Sequence, residues 1–470
     1  MQKTKQIIPY IIICALSLIV FFVPFGNADE LWNYNFARNI SMGLLPYKDF
    51  SIVQTPLSAY FASVFIIIFG PGLISVRVLG YFLFAAISCL SFRLFRDHQN
   101  LPVSCVAIMF SMSLLILPYI YNYNYLSAFL ILLIIKLEGD TKLKNVVLDT
   151  VIGIIVGLLP LVKQSTGAVL FAGNIVVCVI FLIQRRKTIK EIAIRLSLSV
   201  LPGLFYLAVL ILTGSFSSFY EYAIKGIKTF VHRYSPIDLF VEAPAFGVIL
   251  LILVSFIILI LTKAIRYRKE LTNQQISSII MSFAWCSIAF PLCDGHHVLC
   301  IAIPVVPTLL LFYPNKKTKS VENYVCVFVS SFVAAIALIY MVPIGQNYHF
   351  STIHNYECIL ISESYEKPIV EIDNYILKKE QEGYHIRIAD LSAAAIKIPL
   401  DEYEKNWDML LVGNLGENTV DMLLIDEIPT LYLVAPGEHN GLQEHRELID
   451  YIESNYRVVD HIGWFDVYEK

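Results

Sequence analysis

NADELWNYNFARNISMGLLPYKDFSIVQTPLSAYF, residues 27–61, lies between an apolar run at 6–25 and another at 73–92. A run of about 20 apolar residues is the length of a membrane-spanning helix. The stretch therefore reads as a loop at the bilayer surface, joining two membrane helices. Inside it, Asn27 followed by Glu30 makes a capping-box-like start, and Leu31, Tyr34 and Ala37/Arg38 continue with helical spacing. Leu45-Pro46-Tyr47 reads as a turn, with Asp49 just beyond it. The next segment, 57–70, is apolar but short and ends at Gly70-Pro71-Gly72. A crossing there would invert every later loop, so we expect a juxtamembrane helix on the outer face.

Further out, the chain is 57% hydrophobic and only 16% charged over 470 residues, which argues against a soluble enzyme and excludes a disordered chain. Apolar spans are expected at about 6–25, 73–92, 101–119, 125–137, 146–162, 166–183, 193–213, 244–262, 275–292, 297–313 and 322–343. Short basic clusters separate them: Arg93/Arg96, Lys142/Lys144, Arg185/Arg186/Lys187, Lys263/Arg266/Arg268/Lys269 and Lys316/Lys317/Lys319. With a cytoplasmic N-terminus, about eleven crossings place every cluster inside. The N-terminal run reads as an uncleaved first span, since no small-residue cleavage site follows it.

Charge divides the chain. Through Gly345 there are 26 Lys+Arg against 14 Asp+Glu; from Gln346 onward there are 9 against 24, so +12 and −15 give the overall −3. The expected organisation is a mainly α, polytopic membrane bundle over 1–345, with its first external loop at 26–72. A small extracytoplasmic α/β domain follows over 346–470. In this tail, 368–380 and 441–455 read as helices, while 385–390, 430–436 and the terminal RVVDHIGWFDVYE read as strands of a largely parallel sheet. Trp407-Asp408 and Gly413–Gly416 read as cleft or turn residues. Eight of the nine cysteines lie in or beside apolar runs and Cys358 alone is in the tail, so no internal disulfide is expected there. Basic residues confined to short clusters also argue against nucleic acid as a partner.

Asp29 and Glu30 read in two ways. They complement a helix N-terminus, or one of them is a carboxylate held at the membrane surface as a general base. Asp49 is a second acid of the same loop. The order of features here resembles the GT-C membrane glycosyltransferases, in particular the family 39-like protein O-mannosyltransferase and aminoarabinose-transferase relatives. The features are an acidic pair after the first span, Ala-Arg, Gly-x-x-Pro-Tyr-x-Asp-Phe, Thr-Pro-Leu, Phe-Gly, and Ser75-x-Arg77. The resemblance is densest over residues 20–80. It implies transfer of a sugar from a polyprenyl-phosphate carrier to a glycan, lipid or protein acceptor on the outer face, with inversion and with Asp29 as base. Many relatives carry a second acid after the third span. This chain has Asn124 there, so a divalent metal is possible but not supported, and no other cofactor is expected.

Three further stretches face outward in this topology. Lys163-Gln164 ends a span on the side where lysine is disfavoured. Lys163 either snorkels to the headgroups or pairs with a lipid phosphate, and the resemblance favours the phosphate. Residues 218–234 read as a basic amphipathic helix in the interface, with Tyr220, Ile224, Ile227, Val231 and Tyr234 on one face and Lys225, Lys228 and His232 on another. Cys293-Asp294-Gly295-His296-His297 with Cys300 groups potential metal ligands, but adjacent histidines suit a shared tetrahedral site poorly. Donation from His296 or His297 to a phosphate, with Asp294 orienting the ring, is the better functional reading. A flippase for lipid-linked sugars and a non-catalytic receptor are the rival functions. The first would need charge deep within several spans, yet 101–119 and 193–213 contain no acidic residue and 322–343 has only Glu322, at its first position.

Overall fold

The computed structural model describes residues 2–25, 28–96, 120–227, 236–290, 292–312, 346–389, 396–398, 400, 429–434, 446–463 and 465–470. The expected spans at 101–119 and 322–343, the cap Asn27, Lys228, and the Trp407-Asp408 and Gly413–Gly416 stretches lie outside these residues. The chain divides into two compact units: Met1–Val20, Gly80–Val209 and Val231–Val342 form one, and Phe21–Leu79, Leu210–Phe230 and Pro343–Lys470 the other.

Helices follow the apolar runs. They are α1 Gln2–Ser17, α2 Ala28–Ser41, α3 Leu57–Phe69, α4 Ile74–Arg96, α5 Tyr123–Glu138, α6 Asn145–Val162, α7 Gln164–Ile183 and α8 Ile189–Leu212. After these come α9 Phe216–Phe219, α10 Pro236–Glu242, α11 Pro244–Arg266, α12 Asn273–Trp285 and α13 Gly295–Leu310. Among the described residues, five are long and apolar enough to cross a membrane: Ile74–Leu94, Asn145–Val162, Gln164–Ile183, Ile189–Leu212 and Pro244–Arg266. Large apolar side chains such as Phe205 (70% exposed) and Leu212 (86%) on α8 point away from the protein. Such a surface is stable only in lipid. The protein is a multi-pass membrane protein.

In the first unit, α6 and α7 form a tight hairpin broken at Lys163, whose backbone is extended (φ −147°, ψ 111°). The approach is close enough that a Cβ on Gly167 would lie 2.4 Å from the Leu159 carbonyl oxygen. Likewise Gly153 and Gly157 of α6, four residues apart, admit the backbone of Arg195 and Ser199 on α8, as small residues do between membrane helices. In α13, Pro304 has no N–H for the Cys300 carbonyl. The Trp285 indole supplies that donor at 2.8 Å, tying α12 to α13.

In the second unit, α2 is buried from Glu30 to Asn39 although half its side chains there are polar. It packs on α3, which turns Ser58, Ala59, Ala62 and Ser63 inward and exposes Ile67 and Ile68. A 13-residue helix is about 20 Å long, short of a hydrocarbon core about 30 Å thick.

The tail joins this unit through backbone. The Phe25 N–H donates to the Leu360 carbonyl at 2.7 Å and the Leu73 N–H to the Asn355 carbonyl at 3.0 Å. Strands β1 Tyr348–Phe350 and β2 Leu360–Ser362 pair antiparallel. A four-stranded sheet follows in the order β3-β4-β6-β5, built from His385–Ile388, Thr430–Val434, Arg457–Ile462 and Phe465–Glu469. The expectation of a largely parallel sheet is corrected here. Only β3 and β4 run parallel, while β6 is antiparallel to both β4 and β5. The link between β5 and β6 begins at Gly463 (φ +58°) and is too short for a crossover, so those strands must reverse. Period-two alternation sends Leu431 and Leu433 toward Ile372 and Ile376 of helix α14 (Glu363–Gln381). Tyr432 and Val434 point the other way, toward Leu448 and Ile452 of α15 (Arg446–Asn455).

Candidate functional site

The first loop is organised by a buried ion pair. Arg77 (0% exposed) donates from Nε and Nη2 to the Glu30 carboxylate (1% exposed) at 2.7 and 3.0 Å. Its Nη1 reaches the Val23 carbonyl at 2.7 Å. The guanidinium thus ties the segment after α1 to the first turn of α2. A two-pronged buried pair of this kind is committed to structure, so Glu30 is a poor candidate for accepting a substrate proton. Asp29, its neighbour in the same turn, is half-buried. Its backbone carbonyl accepts from Asn33 Nδ2 at 2.8 Å. Asn33 Oδ1 in turn accepts from Gln54 Nε2 at 3.4 Å, bringing residues that the sequence reading had passed over into the same loop core.

Asp49 closes the 45–49 turn, where its Oδ2 accepts the Leu45 N–H at 2.8 Å. Tyr47 sits inside this turn at φ +66°, a backbone conformation costly for a bulky side chain. It is held by its hydroxyl, which donates to the Gln54 carbonyl at 2.6 Å, and by the Phe219 ring 5.3 Å away. Asp49 therefore has a structural task.

In the other unit, Lys163, Asn124 and His296 come together from three helix ends. Asn122 caps α5 by accepting the Asn124 N–H at 2.8 Å, placing Tyr123, Asn124 and Tyr125 in its first turn. Lys163 Nζ donates to Asn124 Oδ1 at 3.2 Å and lies 5.1 Å from the centre of the Tyr123 ring. Asn124 Nδ2 meets His296 Nε2 at 3.4 Å, and Cys300 Sγ is 3.6 Å from the same nitrogen. Lys163, Asn124, His296 and His297 are all buried. Gln164 opens α7 and is half-buried.

Asp294 caps α13, its Oδ1 accepting both the backbone N–H of His297 and that residue's Nδ1, each at 2.9 Å. The ring it orients is His297. Burial pushes the Asp294 carboxyl up, but His297, by charge and hydrogen bonds, outweighs this and holds it well below the usual carboxylate range.

The expected interfacial helix at 218–234 is corrected over its described part. Residues Tyr220–Lys225 form a π-helical turn after α9, so the 3.6-residue faces do not continue. Lys225 is paired with Glu221 at 2.7 Å, while Lys228, Val231, His232 and Tyr234 lie outside the described residues. Sequence reading also missed a buried charge group in the first unit. Lys187 contacts Asp149 at 2.5 Å, and Arg195 binds Glu138 and, through Nε, Asn174 Oδ1 at 2.7 Å.

Among the described residues no group of three or more His, Cys, Asp or Glu could hold a metal ion. With an ammonium on its oxygen and a histidine at its nitrogen, Asn124 does not fit a divalent cation.

No family model matches the chain, and no curated protein matches it. Solved structures do. ArnT from Cupriavidus metallidurans in the apo state is similar at a TM-score of 0.58 and 11% identity, covering 100% of this chain and 98% of that one. The same protein bound to undecaprenyl phosphate is similar at a TM-score of 0.52 and 12% identity, covering 99% and 98%. At such identity the likeness is one of architecture alone: over its whole length this chain has a fold similar to that of ArnT.

Proposed function

We propose that the protein is an inverting membrane glycosyltransferase. In this reading it moves a monosaccharide from a polyprenyl-phosphate carrier to a glycan, lipid or protein acceptor on the outer face. The observation that carries the reading is the whole-length likeness of its fold to a structure bound to undecaprenyl phosphate. The charge asymmetry and basic inner loops support an N-terminus inside and the tail outside.

Asp29 takes the proton of the acceptor hydroxyl as it attacks the anomeric carbon. The sugar–phosphate bond breaks on the opposite side, and the departing phosphate carries away the electron pair. Lys163 supplies the positive charge that this leaving group needs, with His297, oriented by Asp294, as a further donor. Lys225 is a weaker phosphate partner because Glu221 already engages it.

Transfer from polyprenyl-phosphate sugars by purified Asp29→Asn protein tests the assignment. Asparagine keeps the size of aspartate but has no useful basicity. Activity should therefore fall about 10²–10⁴-fold while undecaprenyl phosphate still binds. Full activity in Asp29→Asn would remove the base from the proposal.

A further inference from the structure

The Lys163 site contains an amide where a carboxylate would satisfy the same lysine more strongly. Lys163 Nζ can only donate, so the Asn124 atom facing it at 3.2 Å is the carbonyl oxygen, and the amide cannot be turned the other way. Its NH₂ group therefore faces His296 Nε2 at 3.4 Å. The Cys300 thiol is the second group near that nitrogen, at 3.6 Å. An amide NH₂ cannot accept a hydrogen bond, so Nε2 has to. An imidazolium or an Nε2–H tautomer would set N–H against N–H inside a buried site.

We propose that Asn124 is a positioning residue that sets the electrostatics of the Lys163 site. Its amide fixes His296 as the neutral Nδ1–H tautomer and orients the lysine without adding a negative charge beside it. This rests on the reading of Lys163 as the partner of a lipid phosphate. A carboxylate at 124 would accept from both neighbours, draw a proton onto Nε2 of His296, and repel an incoming phosphate. The residue thus acts on the ligand through Lys163 and His296, both of which it holds.

Two measurements on the full-length protein in detergent or nanodiscs test this. In ¹⁵N-histidine-labelled wild type, the His296 signal, identified by its loss in His296→Gln, should show Nε2 as acceptor and Nδ1 protonated at neutral pH. An Nε2–H tautomer or an imidazolium there overturns the proposal without any variant of Asn124 having to fold. Binding of undecaprenyl phosphate is then compared between wild type and Asn124→Asp. The aspartate should weaken it by about tenfold or more, as expected for a unit charge a few Å from the phosphate in a partly buried site. It should also move His296 to a form carrying a proton on Nε2. Equal affinity in the two proteins overturns the role of Asn124. No binding to wild type, with His296 in the expected tautomer, overturns the lipid-phosphate reading on which the proposal stands.

Discussion

Glu30→Gln separates the two acids at the start of α2. The carboxylate receives two N–H groups of Arg77, at 2.7 and 3.0 Å, and both side chains are excluded from solvent. Glutamine can accept one of these bonds, but its NH₂ opposes the second donor, and the guanidinium charge is left in a buried site without its counter-charge. Removing one partner of a buried pair costs about 3–5 kcal/mol. For a unit of about 210 residues, this corresponds to a fall in melting temperature of roughly 6–20 °C. The assay is the loss of monodisperse protein in detergent on heating at one fixed scan rate, because unfolding of such proteins is commonly irreversible. Asp29→Asn, at a half-buried helix start where asparagine is also well tolerated, should change stability by less than about 1 kcal/mol. Glu30→Leu combined with Arg77→Met should recover most of the loss, since neither charge then has to be desolvated. Coincident melting of Glu30→Gln and wild type would refute the argument. So would a larger loss in Asp29→Asn.

Lys163→Ala should weaken undecaprenyl phosphate by about 1.5–3 kcal/mol, the range of a charged hydrogen bond, in a direct binding titration; unchanged affinity would make Lys163 a snorkelling residue. A membrane-impermeant maleimide applied to intact cells should label exposed Cys358, and Cys358→Ser should abolish that signal. In the serine background, Lys190→Cys in the first turn of α8 should stay unlabelled; labelling there would invert the topology. Because the Asp294 carboxyl is held below its ordinary range, its ionised cap contributes stability above the unfolded value, lost as pH falls through the lower folded value. The stability difference between wild type and Asp294→Asn should therefore close in the acid range, below ordinary carboxylate titration. A gap that opens on acidification would contradict this sign.

Membrane insertion, the helix ends and the pattern of alternating strands were legible along the chain because each is a local property. An apolar run of about 20 residues has few stable alternatives to a buried helix. Period-two alternation in Leu431–Val434 marks a strand between two helix layers whatever its neighbours. The acid pair at Asp29-Glu30 was visible for the same reason, and so was the lysine stranded at the end of α6. What the two acids do was not visible. Arg77 lies 47 residues from Glu30, and the packing of α4 beside the segment after α1 decided that Glu30 is consumed by an ion pair. Lys163 and Asn124 are 39 residues apart, and Asn124 and His296 are 172 apart. Their meeting depends on where three helix ends come to rest, which no local periodicity encodes. The direction of β6 was likewise settled by a hairpin too short to cross over. The sequence by itself determined which segments leave water and where chemistry-bearing residues emerge from them. Tertiary packing decided which of those residues hold the fold, because a buried charge or amide takes its role from the partner that desolvation forces it to find.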